Sequence, residues 1–251
     1  MMSRRTRPAP DALPDTAQGR PKASARALAQ VIERSARVQG PAAKAYVERL
    51  RRADTNAAPA QVVRKLEKRY LAAVTGSGAA VGSTAAFPGI GTLAALSAAA
   101  GETVVFLEAT AIFVLAVADV YGIPAEHREQ RRALVLAVLV GDDSKRAVAE
   151  LIGPGRTSGA WLTEGVATLP MPAITQLNSR LLKRAVRRFA LRRGALLFGK
   201  LLPVGIGAII GAIGNRVAGK KLVRNARRAF GNPPARWPVA LHLLPTVHPI
   251  N

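Results

Sequence analysis

Residues 194–231, GALLFGKLLPVGIGAIIGAIGNRVAGKKLVRNARRAFG, say the most about how this chain folds. Glycine punctuates its apolar centre, basic residues bound it on both sides, and it contains no acidic residue. Small residues on one helix face allow a second helix to approach closely. We therefore predict a tightly packed or membrane-facing helix, whose packing surface is formed by Gly205, Gly207, Gly211 and Gly214.

The segment at 178–193 has the pattern of a strongly two-faced helix. At 100° per residue its apolar side chains gather on one side, and these are Leu181, Leu182, Ala185, Val186 and Phe189. Its cations gather on the other side, and three more cations follow the glycine-rich centre. We predict that all eight bind an anionic surface: Arg180, Lys183, Arg184, Arg187, Arg188, Lys220, Lys221 and Arg224.

The charge of the chain is extreme and unevenly distributed. The formal net charge is +22, and from Gly165 to Asn251 there are fifteen Lys or Arg and no Asp or Glu. Such a field favours a polyanionic partner, which can be phospholipid headgroups, nucleic acid or an acidic protein. Aromatic residues make up only 4% of the chain and do not alternate with the basic runs, so few side chains are available to stack on nucleic-acid bases. Anionic lipid is the leading partner and nucleic acid the alternative.

A second glycine-rich segment lies at 71–101, where 31 consecutive residues carry no charge. Its length suits a membrane span, but Ala, Gly, Ser and Thr dominate it and Pro88 interrupts it. This composition favours a buried or re-entrant helix pair over a straight span. Because Pro88 and Pro203 both precede short glycine-rich apolar runs, we predict an all-α helical bundle in which two apolar helical hairpins pack together.

The apolar helix that follows this segment contains three acidic residues. Its Leu, Ile, Val and Phe favour membrane insertion by about 0.3–0.6 kcal/mol each, whereas Glu108 and Asp119 each oppose it by up to about 3 kcal/mol. The balance is marginal, so we expect a core helix. Glu102, in the first turn, suits the helix dipole. We predict that the three acids are buried and paired with the C-terminal half, with Asn215 and Arg216 as the partners of Glu108.

Composition divides the rest of the chain. Residues 1–24 should be a disordered basic tail without a secretory signal. Residues 25–58 should form amphipathic surface helices, residues 59–235 the main helical domain, and residues 236–251 a proline-rich tail. Basic residues flank both glycine-rich segments, and the positive-inside tendency therefore places both chain ends in the cytoplasm.

No pattern typical of an enzyme or a metal site stands out. Cysteine is absent, and the three histidines are scattered without ligand spacing on one helix. Residues 194–200 fit the phosphate-loop pattern G-x4-G-K, but Leu201 stands where Ser or Thr would hold magnesium. We therefore predict no catalytic residue, no cofactor and no metal.

Two stretches resemble the EcsC family of bacterial proteins: FPGIGTLAALSAAAGETVVFLEATAIFVLAVADVYG at 87–122 and KLLPVGIGAIIGAIGNRVAGKKLVRNARRAFG at 200–231. The resemblance covers residues 60–235 and rests on glycine-rich structural patterns. It implies a hydrophobic, membrane-associated protein without an established activity. The family takes its name from a gene that neighbours an ABC exporter, so the resemblance also implies a link to an ABC transporter. No catalytic residue is carried over.

Together these patterns predict a non-enzymatic protein on the cytoplasmic side of the cell membrane, either peripheral or inserted through helical hairpins. Its predicted partner is anionic membrane lipid. A membrane protein or a second copy of the chain is the further partner that the apolar segments suggest.

Overall fold

All regular secondary structure that the structure describes is helical. The structure is a computed structural model, and it describes residues 30, 31, 34, 40–84, 92–123, 127–152, 162, 169–196 and 206–238. No strand occurs in these ranges, so the predicted all-α fold is confirmed. The tail predicted at 1–24 lies outside the described residues.

Seven α-helices of at least eleven residues lie within the described ranges. In order they are α1 (40–53), α2 (Pro59–Thr84), α3 (Thr92–Val120), α4 (Arg128–Val140), α5 (Asp142–Ile152), α6 (Met171–Leu196) and α7 (Ile206–Phe230). Helices α2, α3 and α7 form one layer with α2 in the middle, while α6 packs on α4.

Helices α2 and α3 form the first predicted hairpin. Few residues separate Thr84 from Thr92, so the two helices run antiparallel. The ring of Tyr70 in α2 stacks on Phe113 in α3, with 4.7 Å between the ring centroids. The hydroxyl groups of Tyr70 and Thr110 share a hydrogen bond of 3.0 Å. These contacts fix the register of the hairpin near its base.

Helix α7 runs antiparallel to α2 and packs against it along much of its length. The side-chain amide of Asn215 donates a hydrogen bond to the carbonyl oxygen of Val74, at 3.0 Å. One turn further, Gly211 and Gly78 touch through their backbones. A Cβ atom on Gly78 would lie 2.8 Å from the carbonyl carbon of Gly211. The two glycine-rich segments therefore pack together, as the sequence predicts.

The predicted packing glycines do not all serve that purpose. Gly211 does, because α2 leaves no room for a side chain there. Gly214 is exposed and has no atom within 4 Å of its Cβ position, so the prediction is wrong for this residue. Three residues turn a helix through about 300°, which rotates Gly214 off the line that faces α2. Gly205 lies outside the described residues, and Gly207 is described only in its backbone.

The core of the bundle centres on α4, whose residues 133–140 are all buried. Helix α6 covers it with the apolar side that the sequence predicts, and Leu181 and Ala185 are both buried. Helix α1 turns Val47 and Leu50 into the same core. The segment 25–58 is therefore amphipathic where it is described, and it contributes to the core as well as to the surface.

The chain after α7 packs back on the N-terminal side of the bundle. The indole nitrogen of Trp237 donates to the carbonyl oxygen of Ala57, at 3.0 Å. The guanidinium of Arg51 lies over the same indole ring, 4.2 Å from its centroid. These contacts attach residues 231–238 to α1 and to the connection between α1 and α2.

One described helical segment, Gly101–Val120 in α3, has the length and composition to cross a membrane. Its mean hydropathy is 2.1, and 61% of it is buried inside the bundle. A core helix of a water-soluble bundle meets the same criterion. Burial of this extent shows that residues 101–120 pack largely as a core helix.

Candidate functional site

The outward face of α7 is apolar over its first half. Four aliphatic side chains are exposed there, with exposed fractions between 43% and 61%, and they are Ile209, Ile210, Ile213 and Val217. We call these four residues the apolar stripe. A cluster of exposed aliphatic side chains on one helix is typical of a surface that binds another apolar body.

The same face becomes cationic from Arg216 onward. Arg216, Lys220 and Arg224 are exposed, and within the described part of the chain none of them makes an ion pair or a side-chain hydrogen bond. Ile213 and Lys220 lie seven residues apart and therefore share one face of the helix. We call these three cations the cationic collar. The outward face thus passes from apolar to positively charged, and α7 contains no acid that would interrupt the change.

The inward face of α7 explains why the apolar stripe faces outward. Gly219 lets α7 approach α2, because a Cβ atom there would lie 2.9 Å from Val74. Further along, the amide of Asn225 donates to the carbonyl oxygen of Val138 at 3.0 Å and is buried. Where α7 lies closest to α2, its inward positions are small or hydrogen-bonded. Further along the helix Leu222, Val223 and Phe230 are buried, so only the bulky aliphatic residues of its first half are turned away from the bundle.

An ion pair between a buried carboxylate and an exposed guanidinium anchors α7 to the first half of α2. Arg227 donates two hydrogen bonds to the carboxylate of Glu67, at 2.7 and 2.6 Å. Glu67 is only 6% exposed, so a bidentate partner is needed to offset the cost of burying its charge. The same hydrogen bond raises the pKa of Arg227 above its ordinary value. This pair fixes the rotation of α7 about its own axis.

The sequence contains a signal for this pair that composition alone does not reveal. Val63, Glu67, Tyr70 and Val74 follow the i, i+4, i+7, i+11 spacing of one helix face, and all four are buried. An acid within such an apolar row needs a partner. The identity of that partner, 160 positions away, is decided by the packing of α7 on α2.

Two of the cations predicted on α6 bind other groups of the protein itself. Arg180 binds the carboxylate of Glu150 at 3.0 Å, and Arg184 donates to the carbonyl oxygen of Asp143 at 2.8 Å. Lys183 is exposed. Arg187 is exposed as well, whereas the side chain of Arg188 lies outside the described residues. On α7, Lys220 and Arg224 are exposed, and Lys221 is half-buried with an interaction partner. The eight predicted cations therefore do not form one surface.

The predicted partners of Glu108 are wrong. Asn215 binds the carbonyl oxygen of Val74 instead, and Arg216 is exposed on the outward face of α7. Glu108 itself is half-buried and, among the described residues, makes no hydrogen bond or ion pair. The physical reason is that α2 lies between α3 and α7, so the two outer helices hardly meet.

The other two acids of α3 are also only half-buried. Glu102 has an interaction partner. Burial raises the pKa of Asp119, and the charges that act on it come from Lys44, Glu48 and Arg51. These three residues belong to α1. The cations near Asp119 are therefore supplied by the N-terminal helix and not by the C-terminal third of the chain.

Small uncharged residues continue the surface beside the apolar stripe. On α2 the exposed residues beyond Leu71 are Ala72, Ala73, Gly76, Ala80 and Ser83. On α3, Val105 is 49% exposed. Because α3 and α7 both run antiparallel to α2, these residues and the apolar stripe lie toward the same end of the layer. The charged residues of α2, including Glu67, lie toward the other end.

The described surface shows no arrangement typical of a catalytic centre. A depression of about 450 Å³ is lined by Glu48, Arg51, Arg52 and Thr55. Glu48 pairs with Arg52 at 3.7 Å, and Arg51 stacks on Trp237. Among the residues described, no three His, Asp or Glu side chains come together in a way that could hold a metal ion.

Comparison of the chain with protein-family models, with curated proteins and with solved structures gives no match.

Proposed function

We propose that this protein is a non-enzymatic membrane-binding protein that attaches to anionic lipid at the cytoplasmic face of a membrane. The observation that carries the proposal is the outward face of α7, where the apolar stripe is followed by the cationic collar. Apolar side chains next to Lys and Arg on one helix match the two layers of a lipid surface, acyl chains below and phosphate above. The EcsC resemblance stays a prediction that points to the same compartment.

The magnitudes support reversible attachment. Burying the exposed parts of four aliphatic side chains contributes about 4 kcal/mol. Three collar cations contribute about 1 kcal/mol each at an anionic surface. The total corresponds to a dissociation constant in the micromolar range, about what a peripheral membrane protein needs. Neither contribution alone reaches that range.

Nucleic acid fits the same surface less well. Binding to single strands relies on aromatic side chains that stack on bases. None of the aromatic side chains that the structure describes is fully exposed, and Tyr70, Phe113 and Phe230 are buried in the core. The apolar stripe also has no counterpart on a phosphate backbone. Cations alone would give weak, salt-sensitive binding without preference for sequence.

The test is flotation of the purified chain with vesicles of equimolar phosphatidylcholine and phosphatidylglycerol. We expect flotation with these vesicles and little with pure phosphatidylcholine. The double variant Arg216→Glu/Lys220→Glu should bind at least about 100-fold more weakly, because it reverses two collar charges.

The matched control is Lys183→Glu/Arg187→Glu on α6, which changes the net charge by the same amount at the same spacing on exposed positions. It should bind almost as well as the natural chain. Absence of flotation would refute the proposal. Tight binding to a DNA duplex in the same experiment would then favour nucleic acid as the partner. Equal loss in both double variants would show that only the total charge matters.

A further inference from the structure

The described ends of α2, α3 and α7 lie together at one end of the layer, next to the apolar stripe. We define the tip as α2 beyond Leu71, α3 before Glu108 and α7 before Arg216. Its described outward side chains are alanine, glycine, serine or aliphatic residues. The one ionisable group within it, Glu102, is half-buried and has an interaction partner.

Contacts between the helices place the tip at one level of the layer. Asn215 lies against Val74, and Gly211 lies against Gly78, so the apolar stripe lies beside the second half of α2. Tyr70 lies against Phe113. Val105, eight residues before Phe113, is therefore about 12 Å further along the layer, near the level of Gly78.

We infer that the tip enters one leaflet of the membrane end-on, with Arg216 and Lys220 at the level of the lipid phosphates; this inference rests on the proposed function. Lys220 and the first residue of α7, Ile206, are separated by about 21 Å along the helix axis. This length exceeds one leaflet of hydrocarbon, about 15 Å, and falls short of the full core of about 30 Å. The described tip reaches through one leaflet and does not span the membrane.

The packing of the tip suits a hydrocarbon environment. Backbone groups inside a membrane need internal partners, which α2, α3 and α7 supply through their own helical hydrogen bonds away from their terminal turns. Close contact between Gly78 and Gly211 holds α2 and α7 together through van der Waals packing, which works in lipid as well as in water. Neither helix depends on a charged contact at this level.

Helix α6 cannot supply the inserted element. Its apolar side chains, including Leu177, Leu181 and Ala185, already fill the core against α4. Exposing them to lipid would open the bundle. The only large aliphatic cluster that the described surface leaves uncovered on a single helix is the apolar stripe.

Self-association through the apolar stripe would leave the collar cations without a counter-charge. In a two-fold dimer with parallel α7 helices the two collars would lie side by side, and with antiparallel helices each collar would meet uncharged residues of the other copy. Helix α7 has no acid to compensate them. Anionic phosphates, by contrast, place the required negative charge where the collar begins.

The cysteine-free sequence allows a direct test. Single variants Ile213→Cys, Lys220→Cys and Gln176→Cys are labelled with an environment-sensitive fluorophore and mixed with equimolar phosphatidylcholine–phosphatidylglycerol vesicles. Lipids that carry a spin-label quencher near the headgroup or deep in the acyl chain report the depth. We expect deep quenching at position 213, shallow quenching at position 220 and none at position 176.

A fourth variant, Ser83→Cys, separates one-leaflet insertion from spanning. Ser83 is exposed near the end of α2. Its label should resist an impermeant reductant sealed inside the vesicles. Reaction with the sealed reductant would overturn the one-leaflet geometry in favour of a span.

The remaining outcomes separate this inference from the proposed function. Flotation without quenching at position 213 would overturn end-on insertion and leave lipid binding intact. Loss of flotation itself would overturn the proposed function. A shielded label at position 213 in lipid-free solution, together with a dimer mass by light scattering, would assign the apolar stripe to self-association and overturn the inference.

Discussion

Helices α6 and α7 look alike in sequence and end up in opposite roles. Both are long, basic and without acids, and both have an apolar side. In α6 the apolar side is buried against α4, and two of its cations bind Glu150 and Asp143. In the first half of α7 small residues face α2 and the aliphatic side chains face outward, whereas Leu222, Val223 and Phe230 are buried in its second half. Where two helices approach as closely as α2 and α7, residue volume and not hydrophobicity therefore decides which side of the helix is buried.

The largest expected effect compares one apolar residue from each helix. Leu181→Ala in α6 should lower the free energy of unfolding by about 3 kcal/mol, because it leaves a cavity in the core. Ile213→Ala in the apolar stripe of α7 should change it by less than about 0.5 kcal/mol. Urea denaturation followed by circular dichroism measures both. Equal losses would mean that the stripe is buried in solution, contrary to the comparison.

The next effect tests why α7 turns its small side inward. Gly211→Ala should destabilise the protein by about 2 kcal/mol, because the added methyl group meets the backbone of Gly78. Gly214→Ala, three residues further, should stabilise it by about 0.5–1 kcal/mol, since nothing lies near that position and alanine favours helix. Melting temperatures of the two variants would shift in opposite directions. A shift of the same sign in both would show that the glycine contact does not hold α2 and α7 together.

The smallest effect concerns Asp119 in α3, on which charged residues of α1 act. Burial raises the pKa of Asp119, so folding favours its protonated form. Its contribution to stability is therefore largest below its ordinary pKa and is lost as pH rises through the raised value. Asp119→Asn should stabilise the protein at pH 7 by up to about 1 kcal/mol, a figure that allows for partial exposure.

The pH dependence supplies the control for that variant. Below pH 3.8, the ordinary value for this carboxyl, Asp119 is protonated in both states, and the difference between the natural chain and the variant should vanish. Denaturation curves at neutral and at acid pH measure it. A destabilised variant at pH 7 would mean that attraction to Lys44 and Arg51 outweighs the cost of burial.

Sequence patterns alone predict the helical character, the buried side of α6 and the contact between the two glycine-rich segments. Each of these follows from local information. The periodicity of Leu181 and Ala185 gives a face, and the small size of Gly78 and Gly211 allows close approach. The uneven charge is likewise present in the composition alone.

Which side chains pair across the bundle depends on how the helices pack in three dimensions. The pairing of Glu67 with Arg227, the separation of Glu108 from Arg216 and the supply of cations to Asp119 by α1 all depend on α2 lying between α3 and α7. Helix order within a layer is set by the total packing of many side chains, which no single periodic pattern contains. For the same reason, the outward orientation of the apolar stripe appears only when α7 is placed against α2. Gly211 and Gly219 face α2 because a larger side chain there would not fit, and this turns the apolar stripe outward.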